Sequence, residues 1–171
     1  ICNGRNKISV SMDAVNWVLF AYKVPPEPAR HRVAAWRKLK SLGAVYIQSG
    51  VCVLPRTNEN LRQLRTLEHD ITETEGQAML FEVVPLDAAQ QARVIARFRS
   101  DRDEEYRELI DRCADFDAEI TRETATENFT YAELEENELD FKKLKAWYEK
   151  IAALDFYKAP LADDAIKHLA H

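Results

Sequence analysis

Along this chain the spacing of apolar positions changes twice, and each change predicts a different kind of element. Residues 17 to 24 alternate, with Val18, Phe20, Tyr22 and Val24 on one side, before Pro25, Pro26 and Pro28 remove the amide donors a strand needs. From Ala29 to Leu42 the spacing becomes helical: Val33, Trp36, Leu39 and Leu42 form the expected apolar face, and Gly43 stands where a left-handed cap closes a helix. Ala44 to Leu54 is rich in β-branched residues and interrupted at Ser49-Gly50. It reads either as two short antiparallel strands joined by a tight turn or as one bulged strand. Thr57 and Asn58 can cap a second helix with Leu61, Leu64, Leu67 and Ile71 on one face, closed by Gly76, and Ala78 to Val84 alternates again up to Pro85. The order β-α-β-β-α-β is the split-βαβ, ferredoxin-like pattern, with both helices on one face of an antiparallel sheet.

After Asp87, a good N-cap, neither Pro nor Gly recurs until Pro160, and apolar residues repeat at three and four. Two long helices are predicted. The first runs over 88 to 123, with a break allowed near Ser100-Asp101 and Tyr106, Leu109, Ile110, Cys113, Phe116 and Ile120 as its buried stripe. The second opens on a capping box, Thr130 to Glu133, and carries Leu134, Phe141, Leu144, Tyr148 and Ile151 at near-heptad spacing, which suits an antiparallel partner. A short helix follows Pro160. The fold class is therefore α+β: residues 1–16 a leader or tag without ordered structure, 17–86 a ferredoxin-like domain, and 87–171 an antiparallel helical hairpin. The first methionine, Met12, directly precedes the patterned region, which marks residues 1 to 11 as a tag or upstream translation.

Composition narrows the chemistry. The chain has 171 residues, 46% of them hydrophobic and 31% charged, with four glycines and no run of about 18 apolar residues such as a membrane span requires. Cys2, Cys52 and Cys113 form no CxxC pair, and His31, His69, His168 and His171 have no zinc-ligand spacing. Neither a metal nor a cofactor is expected, and reduced thiols fit a cytoplasmic protein. Signatures of nucleophile elbows, phosphate loops and metalloproteases are missing, so no enzyme is expected. The acidic runs Asp103-Glu104-Glu105 and Glu135-Glu136 read as solvated helix faces, and the sequon at Asn128 has no secretion signal to give it meaning.

The net charge of −5 hides an asymmetry: residues 17 to 65 carry nine Lys/Arg against Glu27 and Glu59, and the acidic excess lies beyond them. A polyanion would meet this basic third. Arg30, His31, Arg32, Arg37, Lys38 and Lys40 crowd the first helix, where Arg30, Arg37 and Lys40 project to one side. Together with Lys23 at the end of the first strand, Arg30, Arg32, Arg37, Lys38 and Lys40 are the candidates for binding nucleic acid or an oxyanion, although a soluble helix face has the same composition. Trp36 can stack on a base, but its apolar spacing assigns it to the core. Cys52, inside Val51 to Leu54, is by default a small core hydrophobe; a redox-sensing role requires a nearby cation to stabilise its thiolate.

Several long strings carry a resemblance: Trp17-Val-Leu-Phe-Ala-Tyr-Lys-Val-Pro25, Arg32-Val-Ala-Ala-Trp-Arg-Lys-Leu-Lys40 and Leu42-Gly-Ala-Val-Tyr-Ile-Gln-Ser-Gly-Val-Cys-Val-Leu-Pro55. They continue in Ala96-Arg-Phe-Arg-Ser-Asp-Arg-Asp-Glu-Glu-Tyr106, Phe129-Thr-Tyr-Ala-Glu-Leu-Glu-Glu-Asn137 and Asp155-Phe-Tyr-Lys-Ala-Pro160. The chain resembles the N-terminal domain of ChrB chromate-resistance proteins. That resemblance implies a cytoplasmic regulator or sensor encoded with a chromate efflux pump and controlling transcription of the resistance genes, with chromate as effector; promoter DNA is the candidate partner and a homodimer the expected assembly. It also implies a second, C-terminal domain in longer members, and the present sequence is expected to be the N-terminal part without it. More distantly, the first domain is similar to the small CRISPR adaptation nuclease-like subunit and to the middle domain of phenylacetate-type repressors. In the nuclease pattern an aspartate ends the first strand and holds a divalent metal; Lys23 stands there, and a cation cannot ligate magnesium. Three functions stay open on this pattern: a regulator that touches DNA, a dimerising scaffold and, last, a metal-dependent nuclease.

Overall fold

A computed structural model describes residues 16–125 and 130–170. The expectations for the leader, for Cys2, for Asn128 of the sequon and for His171 lie outside the described residues. The chain divides into two compact units, Ile1–Ala92 and Arg93–His171.

In the first unit β1 (Trp17–Lys23), β2 (Val45–Gln48), β3 (Val51–Pro55) and β4 (Gln77–Val83) form one antiparallel sheet in the order β2-β3-β1-β4. With α1 (Ala29–Ser41) and α2 (Asn58–Glu73) between the strands, this is the expected ferredoxin-like topology. The register explains the alternation. Val18 faces Leu54, and Phe20 lies between Cys52 and Leu80; Val18, Phe20, Cys52 and Leu54 are all buried. Ala35 and Leu39 of α1 and Leu64, Leu67 and Ile71 of α2 are buried with them, while Leu61 is half-buried. Lys38 Nζ donates to Gln63 Oε1 at 2.7 Å and ties the two helices side by side. The Thr57 hydroxyl caps α2 by accepting from the Asn60 amide at 3.0 Å. Both readings of residues 44–54 hold in part: two strands meet at Ser49-Gly50, and β2 carries a register shift between Tyr46 and Gln48.

The stripe expected on α1 is corrected by the structure. Val33 and Trp36 are 40% and 49% exposed rather than core. A line of i, i+3 residues drifts around a helix of 3.6 residues per turn, so it cannot all face a sheet. The sheet meets the line through Ala35, Leu39 and half-buried Leu42, which leaves Trp36 on the flank above β2.

The second unit takes most of α3 (Ala88–Ala125) with α4 (Tyr131–Ala153) and α5 (Ala162–His168). Asp87 caps α3 by accepting from the Gln90 amide, and α3 passes Ser100-Asp101 without a break. Neither residue is Gly or Pro, and buried Phe98, Arg102 and Tyr106 bridge the position on one face. Three pairings show that α3 and α4 are antiparallel: Tyr106 with Tyr148, Phe116 with Phe141, and Asn137 Nδ2 donating to Glu123 Oε2 at 2.8 Å. The capping box at Thr130 and Glu133 is present. Tyr106, Leu109, Cys113 and Ile151 form the core with Ala159 and Ala165. Leu134, expected in the stripe, is 59% exposed and lines an open cavity with Ile120 of α3 instead of closing it.

The segment after α4 is held by polar contacts to α3. Asp155 accepts from the Ala159 amide at 2.9 Å and from the Tyr106 hydroxyl at 3.3 Å. Arg99 donates to the Tyr157 carbonyl at 2.9 Å, Asp103 accepts from the Leu161 amide at 2.9 Å, and Phe98 packs against Phe156 and Tyr157. The reading of Asp103 as a solvated acid is thereby corrected, because Asp103 fastens this segment; Glu105, its side chain 42% exposed, pairs at 3.1 Å with the buried guanidinium of Arg102. Among the described residues no helix is long and apolar enough to cross a membrane.

Candidate nucleic-acid interface

Thirteen residues of α1 place five of the six candidate cations on one short helix. Ala35 and Leu39 pin it to the sheet, so at 100° per residue Arg30, Arg37 and Lys40 point away from the core, and all three are exposed. Lys38 is half-buried and already donates to Gln63, which removes it from that surface. Lys23 is exposed at the end of β1, opposite Gln77 in the register. Arg32 lies on a different flank, beside Trp36. The candidates therefore form an exposed trio, a separate arginine beside a tryptophan, and two lysines apart from both.

Arg32 and Trp36 border a cleft of about 410 Å³ whose floor is Tyr22 and Tyr46 and whose far wall is Ser49-Gly50. The sequence builds this cleft from three local decisions. Alternation puts Tyr22 on the helix-facing side of β1, where its ring stacks on Phe20 at 5.4 Å. Pairing of Tyr46 with Cys52 puts Tyr46 on that same side. Gly50, at φ +71°, turns β2 into β3 and gives its carbonyl to the Tyr22 amide at 2.7 Å. A Cβ there would stand 2.5 Å from the Tyr22 carbonyl oxygen, so the close approach demands glycine.

The two tyrosine hydroxyls are hydrogen-bonded to each other at 2.7 Å. Burial pushes the titration of both upward; for Tyr46 the bond from Tyr22 acts in the same direction, whereas for Tyr22 the bond to Tyr46 partly opposes the rise. Both are neutral phenols at physiological pH, able to donate as well as accept. Sequence reasoning missed this pair, because alternation gives a tyrosine's side of the sheet but not whether a helix covers its hydroxyl.

Cys52 lies beneath the same region, fully buried between β1 and β2, and burial pushes its thiol up to about 12. Redox sensing needs an accessible thiolate, so its setting removes Cys52 from the candidate site and leaves it the core role. Among the described residues no group of three or more His, Cys, Asp or Glu is placed to hold a metal ion.

Residues 32–171 match a family described as Protein ChrB, N-terminal. The chain is also 28% identical over 123 residues to the Protein ChrB of Cupriavidus metallidurans, a match covering 72% of this chain and 34% of that protein. The chain thus spans about a third of the length of the curated relative it matches. No solved structure matches it.

Proposed function

The chain belongs to the ChrB N-terminal family, and from that premise we propose that it is the DNA-contacting and dimerising part of a cytoplasmic, chromate-responsive regulator of chromate-resistance genes. The observation that carries this reading is the exposed trio Arg30, Arg37 and Lys40 on α1, within a basic segment of an otherwise acidic chain. Each cation set on a phosphate releases a counterion, so binding is salt-dependent and carries little sequence information. Chromate enters as the effector, acting on this chain or on the remaining length of its longer relatives.

Reversing the trio with Arg30→Glu, Arg37→Glu and Lys40→Glu tests the proposal. Promoter affinity should fall at least tenfold, and the slope of log affinity against log salt should flatten by about 3, close to one for each phosphate no longer neutralised. Unchanged affinity and slope would reject it.

A second reading, a dimerising scaffold that leaves DNA to another protein, rests on Met79 and Phe81 of the edge strand β4, which are 59% and 49% exposed on the face opposite α1 and α2. It predicts a dimer that dissociates when Phe81→Glu is introduced and no DNA binding at low salt. Both readings are non-enzymatic: a lysine at the end of β1 repels magnesium. Magnesium-stimulated cleavage of DNA or RNA by the purified chain would restore the nuclease reading.

A further inference from the structure

We propose that the cleft between α1 and the β2–β3 turn binds a single nucleotide unit, with the base stacked on Trp36, the phosphate on Arg32, and the Tyr22–Tyr46 hydroxyl pair and Ser49 beneath the base or sugar. Such a site goes beyond phosphate contact by the basic trio, because it holds a base on another flank of the helix.

Three observations carry it. Half the surface of Trp36 faces solvent, whereas Trp17 of the same unit is 2% exposed. A large apolar ring left open beside a cavity has unspent stacking surface. The cavity, about 410 Å³, lies within the roughly 300–1,000 Å³ range of small-molecule sites and combines an aromatic wall with a few convergent polar groups. The charge is complementary: Arg32 borders the cleft, and Arg30, Arg37 and Lys40 on the same helix raise the local concentration of anions.

The same features select the ligand class. A tetrahedral oxyanion would engage Arg32 and leave Trp36 and most of the volume unused. A purely apolar ligand would bury the charged Arg32 guanidinium against a surface that offers it no acceptor. A planar ring carrying a phosphate satisfies both ends of the cleft. Such a unit comes either as a free nucleotide or as one residue of a single strand, since a base stacked within a duplex cannot reach the indole.

The test titrates the full chain with AMP, with a short single-stranded oligonucleotide and with ribose phosphate, following tryptophan fluorescence in the parent and the heat of binding by titration calorimetry in the parent and every variant. Saturable quenching by AMP identifies a free nucleotide as the source; quenching by the oligonucleotide alone identifies a strand. Trp36→Ala should weaken binding about 5- to 150-fold, the range that base–aromatic stacking supplies. Trp36→Phe should retain most of the affinity, and Arg32→Ala should reduce both affinity and salt dependence. Trp36 is half exposed and Ala35 and Leu39 hold the helix, so these variants keep the fold, checked by circular dichroism. The proposal is overturned if neither nucleotide nor strand quenches, if Trp36→Ala binds as tightly as the parent, or if ribose phosphate binds as well as AMP. The charge-reversed trio separates the two readings, since it should lose duplex binding, whereas AMP binding should weaken only through the lost field and still depend on Trp36. A parent chain that binds duplex but neither AMP nor the single strand would reject the cleft alone.

Discussion

Asp155→Ala should be among the most damaging single changes outside the apolar core. Both carboxylate oxygens of Asp155 accept from the Ala159 amide, at 2.9 and 3.0 Å, and one also accepts from the Tyr106 hydroxyl at 3.3 Å. Ala159 and Tyr106 are each 1% exposed, so water cannot replace the missing acceptor. A hydrogen bond to a charged acceptor contributes about 1.5–3 kcal/mol, and a buried donor left unsatisfied costs about 1–3 kcal/mol. The Tyr106 bond is long and weak, which places the total near 3 kcal/mol. With a urea dependence of about 2 kcal/mol per molar, the unfolding midpoint should fall by about 1.5 M. Asp155→Asn keeps one acceptor oxygen and should cost about half as much, while Tyr106→Phe removes only the weaker bond and should cost least. Urea titrations of the full chain by far-ultraviolet circular dichroism give all three values. A shift below about 0.3 M for Asp155→Ala, or a larger one for Tyr106→Phe, would refute the assigned role.

Two further outcomes follow from the first unit. Gly50→Ala must carry a left-handed backbone and a Cβ 2.5 Å from a carbonyl oxygen, so stability should fall by about 1–3 kcal/mol and any ligand of the Trp36 cleft should bind more weakly; a neutral midpoint would contradict the geometry. Cys52 should resist alkylation at pH 8 in the native state and react on unfolding; because its folded titration lies at about 12, above the ordinary 9.0, the stability it contributes is full below pH 9 and is lost as pH rises toward 12. Replacing Cys52 with Ala should reduce that alkaline loss, measured by urea midpoints across the range, and an unchanged pH profile would argue against a buried neutral thiol.

The elements were legible where periodicity and punctuation agreed. Proline after β1, Gly43 after α1 and the Thr130–Glu133 box each mark a boundary by a local rule that tertiary packing left intact. Failures arose where packing decides. The spacing of Val33, Trp36 and Leu39 is compatible with burial, but one sheet surface covers only part of a helix, and the sheet took Ala35 instead of Trp36. Asp103 resembles any solvated acid in sequence; only the return of the chain at Leu161 makes it an acceptor. The candidate site was legible in the same measure. A helix dense in arginine and lysine announces itself, whereas the Tyr22–Tyr46 pair depends on cross-strand register and on where α1 stops covering the sheet. Likewise, the string from Asp155 to Pro160 stood out as a motif, and its role as a latch on α3 emerged only from bonds to Tyr106 and Arg99, far away in the chain.

The most direct test of DNA contact through α1 is fluorescence anisotropy of the purified chain on the promoter DNA beside its own gene, across a salt series, with chromate and with sulfate as control. The expected result is binding that weakens steeply with salt, depends on Arg30, Arg37 and Lys40, and is released by chromate but not by sulfate. Absence of binding at low salt, or binding indifferent to those three residues, would contradict it.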